Sequence, residues 1–282
     1  MSRQTDLIIR PAVPPKTKTV KLKLHSRWPA LARDTAIGAI LPVLALVLWQ
    51  WAADRGHLNP MFLPAPAAIL ESFRALLATG ELAQHLGISA QRAALGFLLG
   101  GGLGFLFGLA AGLSRKAEHT LDPSIQMLRM IPHLAFAPLV ILWFGFGEVS
   151  KILIIAQGAF FPLYVNTFMG IRNVDNKLFE VSRVLRFSRR KRIFRLVLPA
   201  ALPSILLGLR LSLALAWIGL VVAELIGSTS GIGFLLNVGK HTSDTALIFV
   251  GVLVFAAAGK LVDSLVRLLE RKWLHWRDSY EG

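Results

Sequence analysis

The chain has no cysteine. That excludes disulfide scaffolds, thiolate metal sites and cysteine nucleophiles. Histidine is dispersed: His25, His57, His85, His119, His133, His241 and His275 include no pair at metal-ligand spacing, so no metal site is expected. The His-Glu-x-x-His and Gly-x-Ser-x-Gly patterns are absent. The nearest approach to a phosphate loop, GVLVFAAAGKL at 251–261, has the wrong glycine spacing and no Ser or Thr after Lys260. Acidic residues are scarce, 16 against 31 Lys and Arg. The main acids within apolar runs, Glu224 and Asp263, lack the paired context of an intramembrane protease. The chain is therefore not expected to be an enzyme, to hydrolyse ATP by itself or to bind a cofactor. Internal repeats and low-complexity tracts are also missing.

What the chain has instead is apolar length. Of its 282 residues 54% are apolar, and mean hydropathy is +0.59. The apolar residues fall into blocks of about 20, the length that crosses roughly 30 Å of hydrocarbon as helix. An all-α polytopic membrane protein is expected, with six spans near Thr35–Ala53, Ala93–Leu113, Ile125–Phe146, Lys151–Ile171, Pro203–Gly227 and Ala246–Leu268. Pro132 and Pro138 interrupt the third, freeing backbone carbonyls that need partners from protein or a water-filled cavity. In the second span Gly96, Gly100, Gly104, Gly108 and Gly112 recur every four residues. Such a stripe lets another helix approach closely, in this chain or in a second copy.

The net charge of +15 lies between the spans, which argues for membrane topology rather than nucleic acid. Basic residues crowd four segments: Arg3 to Arg33 ahead of the first span, Arg115, Lys116 and Arg129, the run from Arg172 to Arg195, and Arg271, Lys272 and Arg277. The opposite side carries only Arg55, Arg74 and Arg92, with Lys151 and Lys240 at span edges. The positive-inside rule then places both termini in the cytoplasm. Residues 1–34 read as a retained, largely disordered basic tail able to rest on anionic lipid, 35–270 as the membrane domain and 271–282 as a second tail. In the long outer connection, AAILESFRALLATG has the spacing of one amphipathic helix.

The segment from Glu180 to Arg210 carries the most information. Asp175 or Asn176 is placed to cap a helix running to about Arg186, followed by a turn at Phe187 and Ser188. Ser188 then caps a second helix to Leu198, which Pro199 and Pro203 stop or bend as the fifth span begins. The result is a helix-turn-helix across the membrane face, suited to grip by a soluble partner. A loop that is basic only for topology remains the alternative on these residues alone.

That segment resembles the cytoplasmic coupling loop of ATP-binding-cassette (ABC) importer permeases, which usually runs from Glu-Ala-Ala through a glycine to Ile-x-Leu-Pro. Here Glu180 and Pro199 match, Val181 and Ser182 replace the alanines, and Arg186 replaces the glycine. The resemblance covers about 60–275. It includes PMFLPAPAAILESF, LDPSIQMLRMIPHLAFAPLVILWFGFGEVSKI and VVAELIGSTSGIGFL, which look like the aliphatic sulfonate permeases and their taurine, nitrate and bicarbonate relatives.

The resemblance implies a type I ABC importer permease fold in a bacterial inner membrane. It also implies a homodimer, two cytoplasmic ATPase subunits that hold ATP and Mg, and an outer binding protein that delivers substrate. The coupling loop would be 172–201, with Glu180, Val181, Ser182, Arg183, Leu185, Arg186, Phe187 and Ser188 as the docking surface and Pro199 and Pro203 as its ending. For an anionic substrate, Arg129 and Arg210 are path candidates, with His133, Trp217 and Glu224 lining. The plainer reading has both arginines snorkelling to the interface and Glu224 in a structural pair. Taurine, nitrate, bicarbonate or a thiamine precursor would suit the same machine. From other classes, the alternatives are a stand-alone secondary transporter and a membrane scaffold.

Overall fold

The computed structural model describes residues 28–274, and for 28–37, 39, 133 and 134 it describes the backbone only. All regular elements among the described residues are helical. They are α1 (Trp28–Asp54), α2 (Pro66–Ala78), α3 (Glu81–Leu113), α4 (Arg115–Arg129), α5 (His133–Phe144), α6 (Glu148–Arg172), α7 (Asn176–Val184), α8 (Arg189–Arg192), α9 (Leu198–Leu225), α10 (Ile232–Thr242) and α11 (Thr245–Trp273). A π-helical turn, Ile193–Val197, joins α8 to α9. The described residues divide into two units, one ending at Leu48 and the other beginning at Trp49.

The first unit contributes most of α1, which begins at Trp28 rather than at the expected Thr35. Residues 28–34 of the expected tail are thus helical, while 1–27 and 275–282 lie outside the described residues. Ile40, Leu41, Val43 and Leu44 are exposed, as suits a helix with lipid for solvent.

In the second unit α6 is the central post, packed on α3 along one side and on α9 along the other. The glycine stripe explains the first contact. A methyl at Gly100 would strike the backbone of Ala156, one at Gly104 that of Phe160, and one at Gly108 would lie 2.8 Å from the Tyr164 carbonyl. Because lipid is as apolar as leucine, such close packing holds helices together where hydrophobic burial cannot. The partner of the stripe is therefore in the same chain. Gly208 and Gly170 do the same for α6 against α9, where a Cβ would meet Asn166 at 2.6 Å and Ser204 at 2.7 Å.

Four described helices, α3, α6, the α8–α9 run and α11, are long and apolar enough to cross a membrane, and Ile40–Asp54 and Ala135–Phe144 are shorter apolar segments. The fold is an all-α polytopic membrane protein. The third span differs from expectation. It does not start at Ile125, because α4 is amphipathic and ends at Arg129, with a break at Met130–Pro132 before α5. Pro132 is the N-cap of α5, and the helix continues through Pro138. With 12 residues, α5 rises only about 18 Å, so it cannot span the bilayer without the segment before it. Polar contacts tie α4 to α6: the Tyr164 hydroxyl donates to Asp122 at 2.9 Å, and Arg172 pairs with Glu118.

Candidate functional site

The segment between α6 and α9 is built by local chemistry. The Asp175 carboxylate accepts from the Lys177 amide at 2.9 Å and so caps α7. The helix stops one turn past Ser182. There the Arg186 amide donates to the Arg183 carbonyl at 3.0 Å and the Phe187 amide to the Ser182 carbonyl at 2.9 Å. This stop needs a left-handed residue, and Arg186 supplies it with φ 49°. Glycine is the usual choice because a Cβ in that region costs about 1–2 kcal/mol. The turn is therefore formed without the glycine, at some cost in strain.

Ser188 then accepts from the Lys191 amide at 3.3 Å and starts α8, while the Lys191 ammonium sits 4.3 Å from the Phe187 ring centre. Of the expected docking residues, Glu180, Val181, Arg183, Leu185, Arg186 and Ser188 are exposed, Phe187 is half-buried and Ser182 is fully buried. The Ser182 hydroxyl donates to the Phe179 carbonyl at 2.7 Å. Val184 is 82% exposed, the apolar tip of the segment. An apolar ridge flanked by one carboxylate and several guanidinium groups is a shape that a soluble protein groove can hold.

The expectation that Pro199 and Pro203 end this loop is corrected. Both lie inside the helical run, because the π turn shifts the ladder just before the first proline: the Leu198 amide donates back to the Ile193 carbonyl. The missing proline donor is then absorbed at a wider turn, and the chain enters the membrane without a break.

The five path candidates do not share one place. Arg129, with Met130, Ile131 and Pro132 of the helix break, lines a cavity of about 500 Å³ against Gln157, Phe161 and Asn166 of α6 and Leu211 of α9. The Gln157 side-chain amide oxygen there is buried and has no hydrogen-bond partner among the described residues. His133 opens α5 beside the break, its side chain outside those described. Arg210 and Trp217 line a second cavity, about 360 Å³. There Arg210 pairs with Asp263 at 2.8 Å, and the Trp217 indole donates to the Phe255 carbonyl at 3.2 Å.

Glu224 lies in a cluster that the sequence did not announce. Arg92 reaches inward from α3 and holds Glu148 of α6 through two bonds of 2.7 and 2.6 Å. Its third nitrogen donates to Glu224 at 2.9 Å and to the Ser230 carbonyl at 2.6 Å. Ser89 donates to both Glu224 oxygens at 2.8 and 2.9 Å, and the Gly233 amide adds a bond of 2.9 Å. Glu224 has no exposure and Arg92 only 3%, so both charges are compensated by partners rather than by water. The charge pattern alone places Arg92 with the outer-side basic residues; the structure turns it inward. The available signal is that His85, Ser89 and Arg92 recur at i, i+4 and i+7 and so share one face of α3. Among the described residues no group of three or more His, Asp or Glu could hold a metal ion.

A family profile described as "Binding-protein-dependent transport system inner membrane component" matches residues 100–275. The chain belongs to that family. The SsuC protein of Bacillus subtilis, named as an aliphatic sulfonates transport permease, is 58% identical to this permease over 87% of the chain and 89% of its own length. SsuC of Escherichia coli is 47% identical over 85% and 91%. The E. coli taurine transport system permease protein TauC is 34% identical over 92% and 98%. Among solved structures, an inward-facing MetNI methionine ABC transporter chain is similar at a TM-score of 0.45 and 19% identity, covering 67% of this permease and 96% of that chain.

Proposed function

We propose that this permease forms half of the translocation path of an ATP-driven importer for aliphatic sulfonates. The observation that carries the coupling role is the exposed α7–turn–α8 segment, a preformed ridge between two membrane helices with one carboxylate, Glu180, on its face. Two copies would pair and two cytoplasmic ATPases would grip the two ridges, so that closure of the ATPases on ATP and Mg drives the membrane helices. An outer binding protein would deliver the substrate. Both termini would then face the cytoplasm, as the basic segments favour. The identities of 58% and 47% to proteins named for aliphatic sulfonates support the substrate class.

For the path itself, the cavity at the α4–α5 break has the fitting chemistry. Arg129 offers a cation to a sulfonate, while the apolar walls from Phe161, Pro162 and Leu215 suit its alkyl chain. The break also puts irregular backbone beside that cavity, where such backbone is tolerated in a membrane.

The test is co-purification of the chain with candidate ATPases, followed by ATPase assay in lipid discs with and without sulfonate-loaded binding protein. Stimulation by the loaded binding protein is expected. A chain that recruits no ATPase and still moves solute would overturn the reading. Within the working importer, Arg129→Gln is expected to lower sulfonate uptake while leaving ATPase recruitment intact; unchanged uptake would remove Arg129 from the path.

A further inference from the structure

One cluster of charge inside the membrane domain has no role in the coupling or in the path just described. On α11, Lys260, Asp263 and Arg267 share one face, and Arg210 of α9 meets them there. Asp263 takes Arg210 at 2.8 Å and Arg267 at 2.8 Å, with Lys260 at 4.0 Å. Three cations thus surround a single carboxylate, leaving a surplus of positive charge. None of the cations is buried: Arg210, Arg267 and Lys260 remain 37%, 49% and 68% exposed. Charges placed within a membrane helix are expensive and mark a site with a partner.

Beside them opens the cavity of about 360 Å³ walled by Leu213, Trp217 and Val262. These same residues border a larger slot of about 720 Å³ between α3, α9 and α11. Its other walls include Leu86, Phe97, Val254 and Ala258, and its lining is almost wholly apolar. Gly259, which lines the smaller cavity, lets α11 come close to Trp217, since a Cβ there would meet the indole nitrogen at 3.0 Å. From Arg267 back to Val254 the helix rises about 20 Å, somewhat more than the roughly 15 Å of hydrocarbon in one leaflet.

We propose that this is a binding site for one anionic phospholipid: Lys260 and Arg267 hold the phosphate, and an acyl chain lies in the slot past Trp217. The charge and the shape argue for this occupant together. A free anion has no use for the long apolar slot. A protein helix seated in the slot would desolvate the surplus cations without neutralising them. Basic pockets between membrane helices at the cytoplasmic side are fitted to anionic headgroups, and α11 ends here in the further basic pair Arg271 and Lys272.

The experiment is native mass spectrometry of the full chain in detergent, with phosphatidylglycerol and phosphatidylethanolamine of matched acyl chains. The wild type is expected to retain phosphatidylglycerol and to lose phosphatidylethanolamine. The double variant Lys260→Gln, Arg267→Gln is expected to weaken phosphatidylglycerol retention about thirty-fold, the effect of removing two basic contacts. Ala258→Trp, which fills the slot, should weaken it with the cations intact. Glycerol 3-phosphate, which has the headgroup charge and no chain, should not displace the lipid. Equal retention of the two lipids, an unaffected double variant, or displacement by glycerol 3-phosphate would overturn the proposal. So would efficient crosslinking of the Ala258→Cys variant to a second copy of the chain, which would put protein in the slot. The two cations are exposed, so the double variant keeps the test sound if Ala258→Trp fails to fold.

Discussion

Two charged regions of this permease look alike in composition and behave in opposite ways. The Arg92–Glu148–Glu224 cluster is sewn into three helices, each charge met by a partner, and it shows almost nothing to solvent except Glu148. The α7–α8 segment presents Glu180, Arg183, Arg186 and Arg189 outward and spends its hydrogen bonds on its own caps and turn. The first region uses charge to fix helices where lipid offers no hydrophobic drive between them. The second leaves charge unspent, which is the condition for meeting another protein.

The strongest break in that comparison is Arg92→Ala. It leaves the Glu224 carboxylate buried without its cation, a loss of about 3–5 kcal/mol. A steep fall in the Tm of the purified protein in detergent is the expected result, and an unchanged Tm would return Glu224 to the class of solvated charges. Next is Gly100→Val, which drives a side chain into the Ala156 backbone at about 1–3 kcal/mol. Loss of stability without loss of the α7 surface would separate helix packing from docking.

Arg186→Gly runs the other way. Relief of the left-handed strain should stabilise the turn by about 1 kcal/mol, read as slower hydrogen exchange at the Phe187 amide. Faster exchange there would mean that the arginine side chain, not the backbone stop, holds the turn. The smallest effect on stability belongs to Glu180→Ala, within about 0.5 kcal/mol as for exposed positions. It should nonetheless reduce recruitment of the ATPase in a pull-down. A variant that recruits normally would remove Glu180 from the docking surface.

Much of the fold was legible because a membrane imposes simple rules. Span length, the glycine stripe and the caps at Asp175 and Ser188 are local or periodic, and periodicity survives in a sequence read without any structure. Expectation failed where two effects compete. Pro199 and Pro203 call for a stop or a bend, and the π turn just ahead of Pro199 lets the helical run continue instead of stopping. The prolines predict an interruption of the third span, but its start at Ile125 is misplaced because hydropathy does not register that α4 lies amphipathic against α6 through Asp122 and Tyr164.

The sequence by itself determined the class, an all-α polytopic membrane protein, and the caps that shape the segment between α6 and α9, since each follows from composition or pattern within a short window. Only the tertiary structure decided that Arg92 is a pin rather than an outer-loop charge. It alone separated Arg129 from Arg210 and Glu224, and it alone set Lys260 and Arg267 beside an apolar slot. The reason is physical: the fate of a charge depends on which distant helix faces it, and Arg92 lies 132 residues from the Glu224 it neutralises.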